Sequence, residues 1–306
     1  MTGRRLANLI SRDNGIGLTT DVHLLTEWLT DCGFDVQFVD WRSRMMRRCH
    51  LAVFIELLNP TLVYYAMATV GILNLEWLPG RWQPQLRRLT QVWARSAESE
   101  QLMRGWGLPR VHRTGFLGSD LYEPRVPREV SCLHMRGASG LKGTNTVLQA
   151  WADNPGLPAL TVISHDPIPH PPKGVTVLPR VDESTLRRLA NQNVIHVCPS
   201  ESEGWGHYIC EGLSCGALVV TTDASPMSEH VQPQWGWLLP ARPGPDHHMA
   251  PRHLVDAADI ATAVDAAATL PRRRREGMQK AARGHFLSRN DQFRAVAGQL
   301  LHTLVP

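Results

Sequence analysis

Three times along this sequence, a short apolar run leads through a glycine-containing loop into an amphipathic run. The apolar runs cover residues 5–11, 130–135 and 194–198, and the amphipathic runs that follow cover residues 18–29, 144–151 and 208–215. Short apolar runs predict buried strands, and apolar residues three and four positions apart predict helices. Open parallel sheets bind ligands in such loops, beyond the carboxyl ends of their strands. The pattern therefore predicts α/β structure with ligand-binding loops after these three strands.

The same alternation continues through the rest of the chain and predicts two domains. Predicted strands cover residues 51–57, 69–75, 92–96, 159–164, 175–178 and 217–221, and predicted helices cover residues 97–106, 183–190, 257–270, 276–286 and 292–304. A charged segment bracketed by prolines, residues 124–127, separates two such series. We therefore predict two doubly wound α/β domains, 1–124 and 125–288. A final helix, 289–306, is predicted to pack back toward the first domain.

Composition narrows the class of protein. The 306 residues are 43% hydrophobic and 20% charged, which is typical of a folded globular chain. The formal net charge of +4 is compatible with a phosphate-bearing or anionic partner. None of the six cysteines forms a Cys-x-x-Cys pair, so we interpret them as small buried side chains in a reducing compartment. No run indicates a signal peptide or a membrane span, which predicts a cytoplasmic protein.

The loop over residues 199–213 carries two carboxylates at an informative spacing. Glu203 lies before the predicted helix and Glu211 lies inside it, roughly 8–12 Å apart along the helix axis. That separation suits a diphosphate with a sugar at one end and a ribose at the other. The backbone amides of Gly204, Trp205 and Gly206 are candidate phosphate ligands. Alternatively, the stretch is a surface loop with two solvated glutamates.

Several motifs occur together in an order that matches a known family. Lys142-Gly143 follows the second glycine-rich loop, seven residues separate Glu203 from Glu211, and Glu229 follows a Ser-Pro pair. With the run over residues 216–223, they resemble the C-terminal half of retaining GT-B glycosyltransferases of the family 4 type (glycosyl transferases group 1). The resemblance covers residues 130–231 well and the N-terminal half loosely, through residues 14–18 and 74–77. It implies two Rossmann-like domains that face a cleft.

The resemblance also implies roles for individual residues. Lys142 would contact the donor diphosphate and Glu203 the hydroxyls of the donor sugar, so these two are the predicted catalytic residues. Predicted donor-binding positions are Gly15, Gly17, Arg136, Arg180, Gly204, Trp205, Gly206 and Glu211. Glu211 would hold the ribose, Arg180 would border the base, and Gly15 and Gly17 would let the first domain close on the diphosphate. By itself, the Gly-x-Gly at residues 15–17 is equally compatible with a tight turn.

One position departs from the family pattern. The family has an arginine five residues before the lysine, and Gly137 stands there in this chain. The neighbouring Arg136 either replaces that arginine at the diphosphate or points away from it.

The resemblance implies retaining, metal-independent transfer of a hexose from a nucleotide-sugar, with UDP-sugars such as UDP-glucose favoured, to the hydroxyl of a glycan, a lipid or a small molecule. In agreement, the sequence has no Asp-x-Asp motif, and no metal or other cofactor is predicted. Two alternatives are a glycosyltransferase for hydroxymethylated bases in DNA and an inactive nucleotide-binding or scaffold protein of the same fold.

Features outside the donor motifs concern the acceptor. Glu76 and Trp77 follow a predicted strand of the first domain and are candidate acceptor-side residues, or else a helix cap and a core side chain. Among the ten tryptophans, Trp77, Trp82 and Trp205 are the strongest candidates to stack on a sugar or base. Two arginine clusters are either solvated faces or contacts for an anionic acceptor such as a lipid headgroup, an acidic polysaccharide or DNA: Arg42, Arg44, Arg47, Arg48, and Arg272, Arg273, Arg274, Arg275.

Overall fold

A computed structural model describes residues 5–12, 15 and 17–305 of the chain. The chain divides into two compact units. The first unit comprises Met1–Leu117, Asp246–Ala250 and Arg289–Pro306, and the second comprises Gly118–Pro245 and Pro251–Ser288. The functional domain limits predicted above, 1–124, 125–288 and 289–306, stay predictions. None of the helices in the described part of the chain has both the length and the apolar character needed to cross a bilayer.

The first unit is built on a six-stranded sheet. Its strands are β1 (Arg5–Ser11), β2 (Phe34–Asp40), β3 (Cys49–Glu56), β4 (Ala66–Leu73), β5 (Gln91–Ala94) and β6 (Val111–Arg113). They lie in the order β2-β1-β3-β4-β5-β6, and every neighbouring pair is parallel. The helices are α1 (Gly17–Asp31) and α2 (Ala97–Gly105), and three short 3₁₀ helices cover Leu62–Tyr65, Leu75–Trp77 and Gly80–Arg88. The interiors of β1, β3 and β4 are largely apolar because both faces of the sheet are covered there, whereas β2, at the side of the sheet, is partly exposed.

Aromatic side chains from distant parts of the chain meet in the core of the first unit. Phe293, from the C-terminal segment, packs edge-on against Trp28 at 5.2 Å and against Phe116 at 5.6 Å between ring centroids. The Arg95 guanidinium lies 4.1 Å from the Phe116 ring and forms a buried ion pair with Asp21 at 2.6 Å. The C-terminal segment therefore completes the core of this unit.

The second unit contains a second six-stranded parallel sheet. In chain order its elements are β7 (Glu129–Gly137), α3 (Thr144–Asp153), β8 (Leu160–Ser164), β9 (Val175–Leu178), α4 (Glu183–Gln192), β10 (Asn193–Cys198), α5 (His207–Ser214), β11 (Leu218–Thr222), α6 (Met227–His230) and β12 (Gly236–Leu239). The strand order is β12-β11-β10-β7-β8-β9, which is the order of the dinucleotide-binding Rossmann fold. The prediction of an α/β chain with two doubly wound, Rossmann-like sheets is confirmed.

The last part of the chain differs from the sequence prediction. A two-stranded sheet, β13 (Arg242–His247) and β14 (Ala250–Leu254), precedes α7 (Ala257–Ala268) and α8 (Arg272–Leu304). The two helices predicted over 276–286 and 292–304 are therefore wrong, because they form one helix of 33 residues. The intervening residues contain neither glycine nor proline, and their low helix propensity costs only some tenths of a kcal/mol per residue. Strands β12, β13 and β14 were not predicted, since their short segments carry no clear alternation.

Candidate active site

The candidate site lies where the sheet of the second unit reverses its direction of winding. Strands β7 and β10 are neighbours; β8 and β9 follow on the side of β7, and β11 and β12 follow on the side of β10. The connections after β7 and β10 therefore leave in opposite directions. Such a switch point leaves a crevice beyond the carboxyl ends of the strands. The loop after β7 carries Lys142, and the loop after β10 carries Glu203. The topology therefore brings together two residues that lie 61 positions apart in the sequence.

Direct backbone contacts hold these two loops together. The Glu201 amide donates a hydrogen bond of 2.8 Å to the Leu141 carbonyl. Gly143 caps α3 with φ of 67°, and a Cβ atom at this position would lie 2.3 Å from the Pro199 carbonyl oxygen. Both the left-handed backbone and the close approach require glycine here. On the other side, the Glu201 carboxylate pairs with Arg252, and the Glu201 carbonyl accepts a 2.7 Å hydrogen bond from the His253 amide.

A buried histidine supports both loops from below. His134 of β7 contacts the Val197 carbonyl through Nδ1 at 2.7 Å and the Thr144 hydroxyl through Nε2 at 2.8 Å. Because a carbonyl only accepts, Nδ1 carries the proton and Nε2 accepts the hydroxyl hydrogen. Burial is the main cause that lowers the pKa of His134 to about 4; the hydrogen bond with Val197 opposes this effect, and the charges of Lys142 and Arg136 add to it, so the ring is neutral near pH 7. This histidine links β7, β10 and the first residue of α3.

Lys142 and Glu203 form an ion pair at the centre of the site. Their side chains are 17% and 11% exposed. Ser200 donates a hydrogen bond to the same Glu203 oxygen that Lys142 contacts, and the Ser200 oxygen also meets the Tyr208 hydroxyl. Since the Ser200 hydrogen goes to Glu203, Tyr208 is the donor to Ser200. Burial raises the pKa of Tyr208 well above its ordinary value, so the phenol keeps this proton.

The Tyr208 ring also orders the lysine. The Lys142 Nζ lies 4.0 Å from the centroid of this ring, a distance typical of a cation–π contact. Tyr208 therefore fixes both members of the pair, Lys142 through its ring and Glu203 through Ser200.

Helix α5 carries the second carboxylate of the predicted pair. Gly206 precedes the helix in a left-handed conformation with φ of 90°. One turn into α5, Glu211 is partly buried. Burial raises the pKa of this carboxyl, and the electrostatic interactions with His207 and Lys142 oppose that effect. Glu203 and Glu211 thus share the field of Lys142 within a single stretch of loop and helix.

The remaining predicted donor residues lie at the same edge of the sheet in different settings. Trp205 is 3% exposed, with its ring 4.4 Å from the His230 ring and its carbonyl oxygen 2.8 Å from His230 Nε2, so the indole is not available at the surface. The prediction that Trp205 stacks on a ligand is therefore wrong for the ring. Arg136, at the end of β7, pairs with Asp166 at 2.7 Å. Arg180 is exposed and follows β9, two strands away from β7.

The first unit has its own cation–carboxylate pair at its own switch point, between β1 and β3. Arg12 follows β1 and pairs with Glu56, the last residue of β3. The Glu56 side chain is 6% exposed, and its backbone has φ of 65°, which is uncommon for a residue with a side chain. Sequence reasoning missed this pair. A charged residue that ends the apolar run over residues 51–55 was the available signal.

The predicted acceptor-side residues lie beside that pair, after the neighbouring strand. Glu76 is 5% exposed within the 3₁₀ helix Leu75–Trp77, and its carbonyl contacts His247 Nδ1 at 2.8 Å. Trp77 is 38% exposed and lies edge-on to His247 at 5.1 Å. Glu56 and Leu73 are partners in the register of β3 and β4, so both buried carboxylates lie at one edge of the sheet.

The first glycine-rich loop is described only in part. Gly15 has φ of 64°, as a turn glycine does, and Gly17 is the first residue of α1. Positions 14 and 16 of the predicted motif lie outside the described residues. Across residues 5–12, 15 and 17–305, no cluster of three or more His, Cys, Asp or Glu side chains is arranged to hold a metal ion.

A family comparison matches the part of the chain that carries the two glutamates. Residues 170–247 match the family model described as glycosyl transferases group 1. This span includes β10, the following loop and α5, whereas Lys142 lies before it. Among curated protein sequences, none matches the chain significantly.

Solved structures share the fold over nearly the whole chain. Sucrose-phosphate synthase from Thermosynechococcus elongatus aligns with a TM-score of 0.76 at 15% identity, covering 98% of this chain and 99% of that one. A glycosyltransferase from Rickettsia africae aligns with a TM-score of 0.74 at 12% identity, covering 99% of each chain. HepE from Anabaena, solved with UDP and glucose, aligns with a TM-score of 0.68 at 13% identity, covering 98% of this chain and 100% of that one.

At these identities the structural likeness establishes the fold, which is GT-B. With the family match over residues 170–247, it confirms the predicted resemblance to GT-B glycosyltransferases. The family 4 subtype and the roles of individual residues stay predictions.

Proposed function

We propose that the chain transfers a sugar from a nucleotide-sugar, with a UDP-sugar favoured, to a hydroxyl acceptor. The ion pair of Lys142 and Glu203 at the switch point of the second sheet carries this proposal. The Lys142 ammonium suits a diphosphate, and the Glu203 carboxylate suits the hydroxyls of a sugar. The HepE structure with UDP and glucose offers a precedent for this class of ligand in the same fold.

The chemistry of the donor explains why these two side chains would act together. When the bond between sugar and diphosphate breaks, negative charge develops on the departing diphosphate and positive charge on the anomeric carbon. The Lys142 ammonium, a compact charge on a flexible stem, would stabilise the diphosphate. Glu203 would accept hydrogen bonds from sugar hydroxyls and thereby orient the ring. Binding would split the ion pair, with phosphate replacing Glu203 at Nζ and hydroxyls replacing Lys142 at the carboxylate.

The surrounding contacts support preorganisation of this pair. Ser200 and Tyr208 hold Glu203 and Lys142, and the contact of Gly143 with Pro199 holds the two loops. Fixed charges at a crevice need little rearrangement as charge develops, which is the main source of electrostatic catalysis. Glu211, on α5, would hold the ribose hydroxyls, and the amides of Gly204, Trp205 and Gly206 would meet the phosphates.

The proposed reaction proceeds with retention and requires no metal ion. The acceptor oxygen would bond to the anomeric carbon on the face from which the diphosphate departs, and the acceptor proton would pass to a diphosphate oxygen. No protein nucleophile takes part in this scheme. Lys142, with Arg136 as the nearest further cation of β7, would supply the positive charge that a divalent ion supplies elsewhere. The direct checks are the anomeric configuration of the product and turnover in the presence of a chelator.

The first experiment is a screen of nucleotide-sugars for thermal stabilisation of the protein, because a ligand that binds only the folded state raises Tm. The stabilising donor is then offered with hydroxyl acceptors. We expect Glu203→Gln and Lys142→Met, which keep side-chain size, to lower turnover by about 10²–10³-fold, the usual effect of removing one electrostatic contact to a transition state. Glu183→Gln, at a side chain that is 83% exposed, is the matched control. Unchanged turnover in both site variants would refute the assignment.

The same experiment separates the enzyme from an inactive relative. A nucleotide-sugar that stabilises the protein, with neither transfer nor donor hydrolysis for any acceptor, would identify a nucleotide-binding or scaffold protein of the same fold.

A further inference from the structure

The strands of the first unit begin at a surface that is rich in arginine. Six exposed residues lie just before, or at the start of, β3, β4 and β5, and we call them the basic edge: Arg47, Arg48, Tyr64, Met67, Arg87 and Arg88. The basic edge lies at the amino ends of these parallel strands. It is therefore at the opposite end of the sheet from Glu56 and Glu76, which follow the carboxyl ends of β3 and β4.

Strand register and hydrogen bonds bring the basic edge together. Cys49 and Ala66 are partners in the parallel pair of β3 and β4, so the residues that precede the two strands are neighbours. Thr69 and Thr90 exchange hydrogen bonds of 3.0 and 2.9 Å between backbone amides and side-chain hydroxyls. Because Met67 and Arg88 each lie two residues before one of these threonines, the start of β4 and the segment before β5 meet at the same edge.

The segment that carries the basic edge has few acidic residues. Residues 41–97 contain eight arginines, no lysine, and only two acidic residues, Glu56 and Glu76. Both glutamates are buried, and among the eight arginines only Arg95 is buried. The exposed charge contributed by this whole segment is therefore positive.

Large apolar side chains stand among these arginines. Met67 is 80% exposed and Tyr64 is 70% exposed; with Met45 at 72%, they are the most exposed large hydrophobic residues in the described part of the chain. To bind the phosphates of a nucleic acid backbone, a surface requires only cations, and guanidinium groups bind phosphate in a bidentate manner. Methionine and tyrosine exposed to water between arginines instead suit the boundary between headgroups and acyl chains.

We propose that the basic edge docks the protein on a membrane surface of anionic phospholipids. The arginines bind headgroup phosphates, and Tyr64 and Met67 insert into the interface beneath them. Attraction to the anionic surface is screened by salt, whereas insertion is not. The proposal stands independently of the glycosyl transfer reaction.

The test is flotation of the full chain with two kinds of vesicle, phosphatidylcholine alone and an equimolar mixture with phosphatidylglycerol. Two variants address the surface, Arg47→Gln/Arg48→Gln/Arg87→Gln/Arg88→Gln and Tyr64→Ser/Met67→Ser. The control, Arg272→Gln/Arg273→Gln/Arg274→Gln/Arg275→Gln, removes the same charge from α8. All substituted residues except the half-buried Arg275 are exposed, and a thermal melt of each variant verifies folding.

We expect salt-sensitive binding to the anionic vesicles and little binding to phosphatidylcholine alone. The first variant should weaken binding at least about tenfold, since each cation near an anionic bilayer contributes about fivefold. The second should weaken it severalfold and leave the salt dependence in place, and the control should bind as the parent does.

Three results would overturn the proposal: no preference for anionic vesicles, an equal loss in the control, or competition by duplex DNA that binds more tightly than the vesicles and is insensitive to Tyr64→Ser/Met67→Ser. The last result would assign the surface to nucleic acid.

Discussion

The two sheets of this chain place a similar pair of charges at the same topological position, with different support. In each unit the strand order reverses once, and there a cation meets a carboxylate: Arg12 with Glu56, and Lys142 with Glu203. Arg12 is 39% exposed, and Glu56 has left-handed backbone. In the second pair the cation, Lys142, is only 17% exposed, and three neighbouring side chains hold the pair or its loops: His134, Ser200 and Tyr208.

Topology alone therefore does not make an electrostatic site. A switch point brings two loops together, and hydrogen bonds beneath and between those loops decide whether the charges are fixed. The second unit forms such bonds among its described residues, and they support the proposal that the donor binds there. The four predictions below test this contrast, from the largest expected effect to the smallest.

The largest effect concerns acid stability, because two neighbouring strands of the second sheet, β7 and β10, each contain a buried histidine. Burial lowers the pKa of both His134 and His196 to about 4 from an ordinary value of 6.5. The unfolded chain therefore binds protons below pH 6.5 that the folded chain does not. Each histidine contributes roughly 3 kcal/mol of stability that is complete above pH 6.5 and is lost as pH falls toward 4.

Thermal or denaturant unfolding between pH 7 and pH 4 measures this loss. His196→Gln should make the fall in unfolding free energy shallower by about half of the combined effect, whereas His23→Gln, at an exposed position of α1, should leave it unchanged. The same slope in both variants would contradict the assignment.

The second prediction compares the two glycine-rich loops. Gly143→Ala would place a Cβ atom 2.3 Å from the Pro199 carbonyl oxygen in a left-handed backbone, so we expect it to lower the unfolding free energy by about 3 kcal/mol. At Gly17 a Cβ atom would meet nothing within 4 Å, so Gly17→Ala should be neutral or stabilising. Denaturant titration of both variants measures the difference. Equal costs would mean that contact between the loops is not what requires Gly143.

The third prediction tests Tyr208 as a positioning residue. Tyr208→Phe keeps the ring under Lys142 and removes the hydroxyl that donates to Ser200. We expect kcat to fall about tenfold, in line with a hydrogen bond of about 1–1.5 kcal/mol, with little change in KM for the donor. Tyr64→Phe, at an exposed position, is the matched control. Steady-state kinetics with the donor from the thermal screen decide the matter, and an unchanged kcat would show that the hydroxyl serves folding alone.

The smallest effect belongs to the first pair. Glu56→Gly relieves a left-handed backbone, worth about 1 kcal/mol, and removes a partly exposed ion pair worth at most about 1 kcal/mol. The two terms offset each other, so the unfolding free energy should change by less than about 1 kcal/mol. A loss of several kcal/mol in denaturant titration would show that the first pair is as tightly integrated as the second.

The sequence predicted the charged residues at the switch point of the second unit, but not those of the first, for physical reasons. Lys142 and Glu203 lie in loops and Glu211 in the helix that follows, at spacings that follow from strand, turn and helix geometry, so their order along the chain was informative. Arg12 and Glu56 form a pair only because β1 and β3 are neighbours in the sheet, although β2 lies between these two strands in the sequence. A contact that depends on strand order leaves no local pattern.

The side chains that support the site could not be predicted from the sequence for the same reason. His134 and Tyr208 occupy ordinary strand and helix positions, and their roles appear only when β7, β10 and α5 are packed together. The indole of Trp205 shows the reverse case. Its place in a glycine-rich loop suggested an exposed ring, but packing on His230 buries it.

The length of a strand sets a distance that matters if the basic edge rests on a membrane. Strand β4 has eight residues, which at about 3.3 Å each separate its two ends by about 26 Å. Met67 lies at one end and Glu76 just beyond the other. A chain held by that edge would present Glu76 and Trp77 far above the headgroups. Its acceptor would then be a molecule dissolved in the adjoining water or the distal end of a long glycan, and a bare lipid headgroup would lie out of reach.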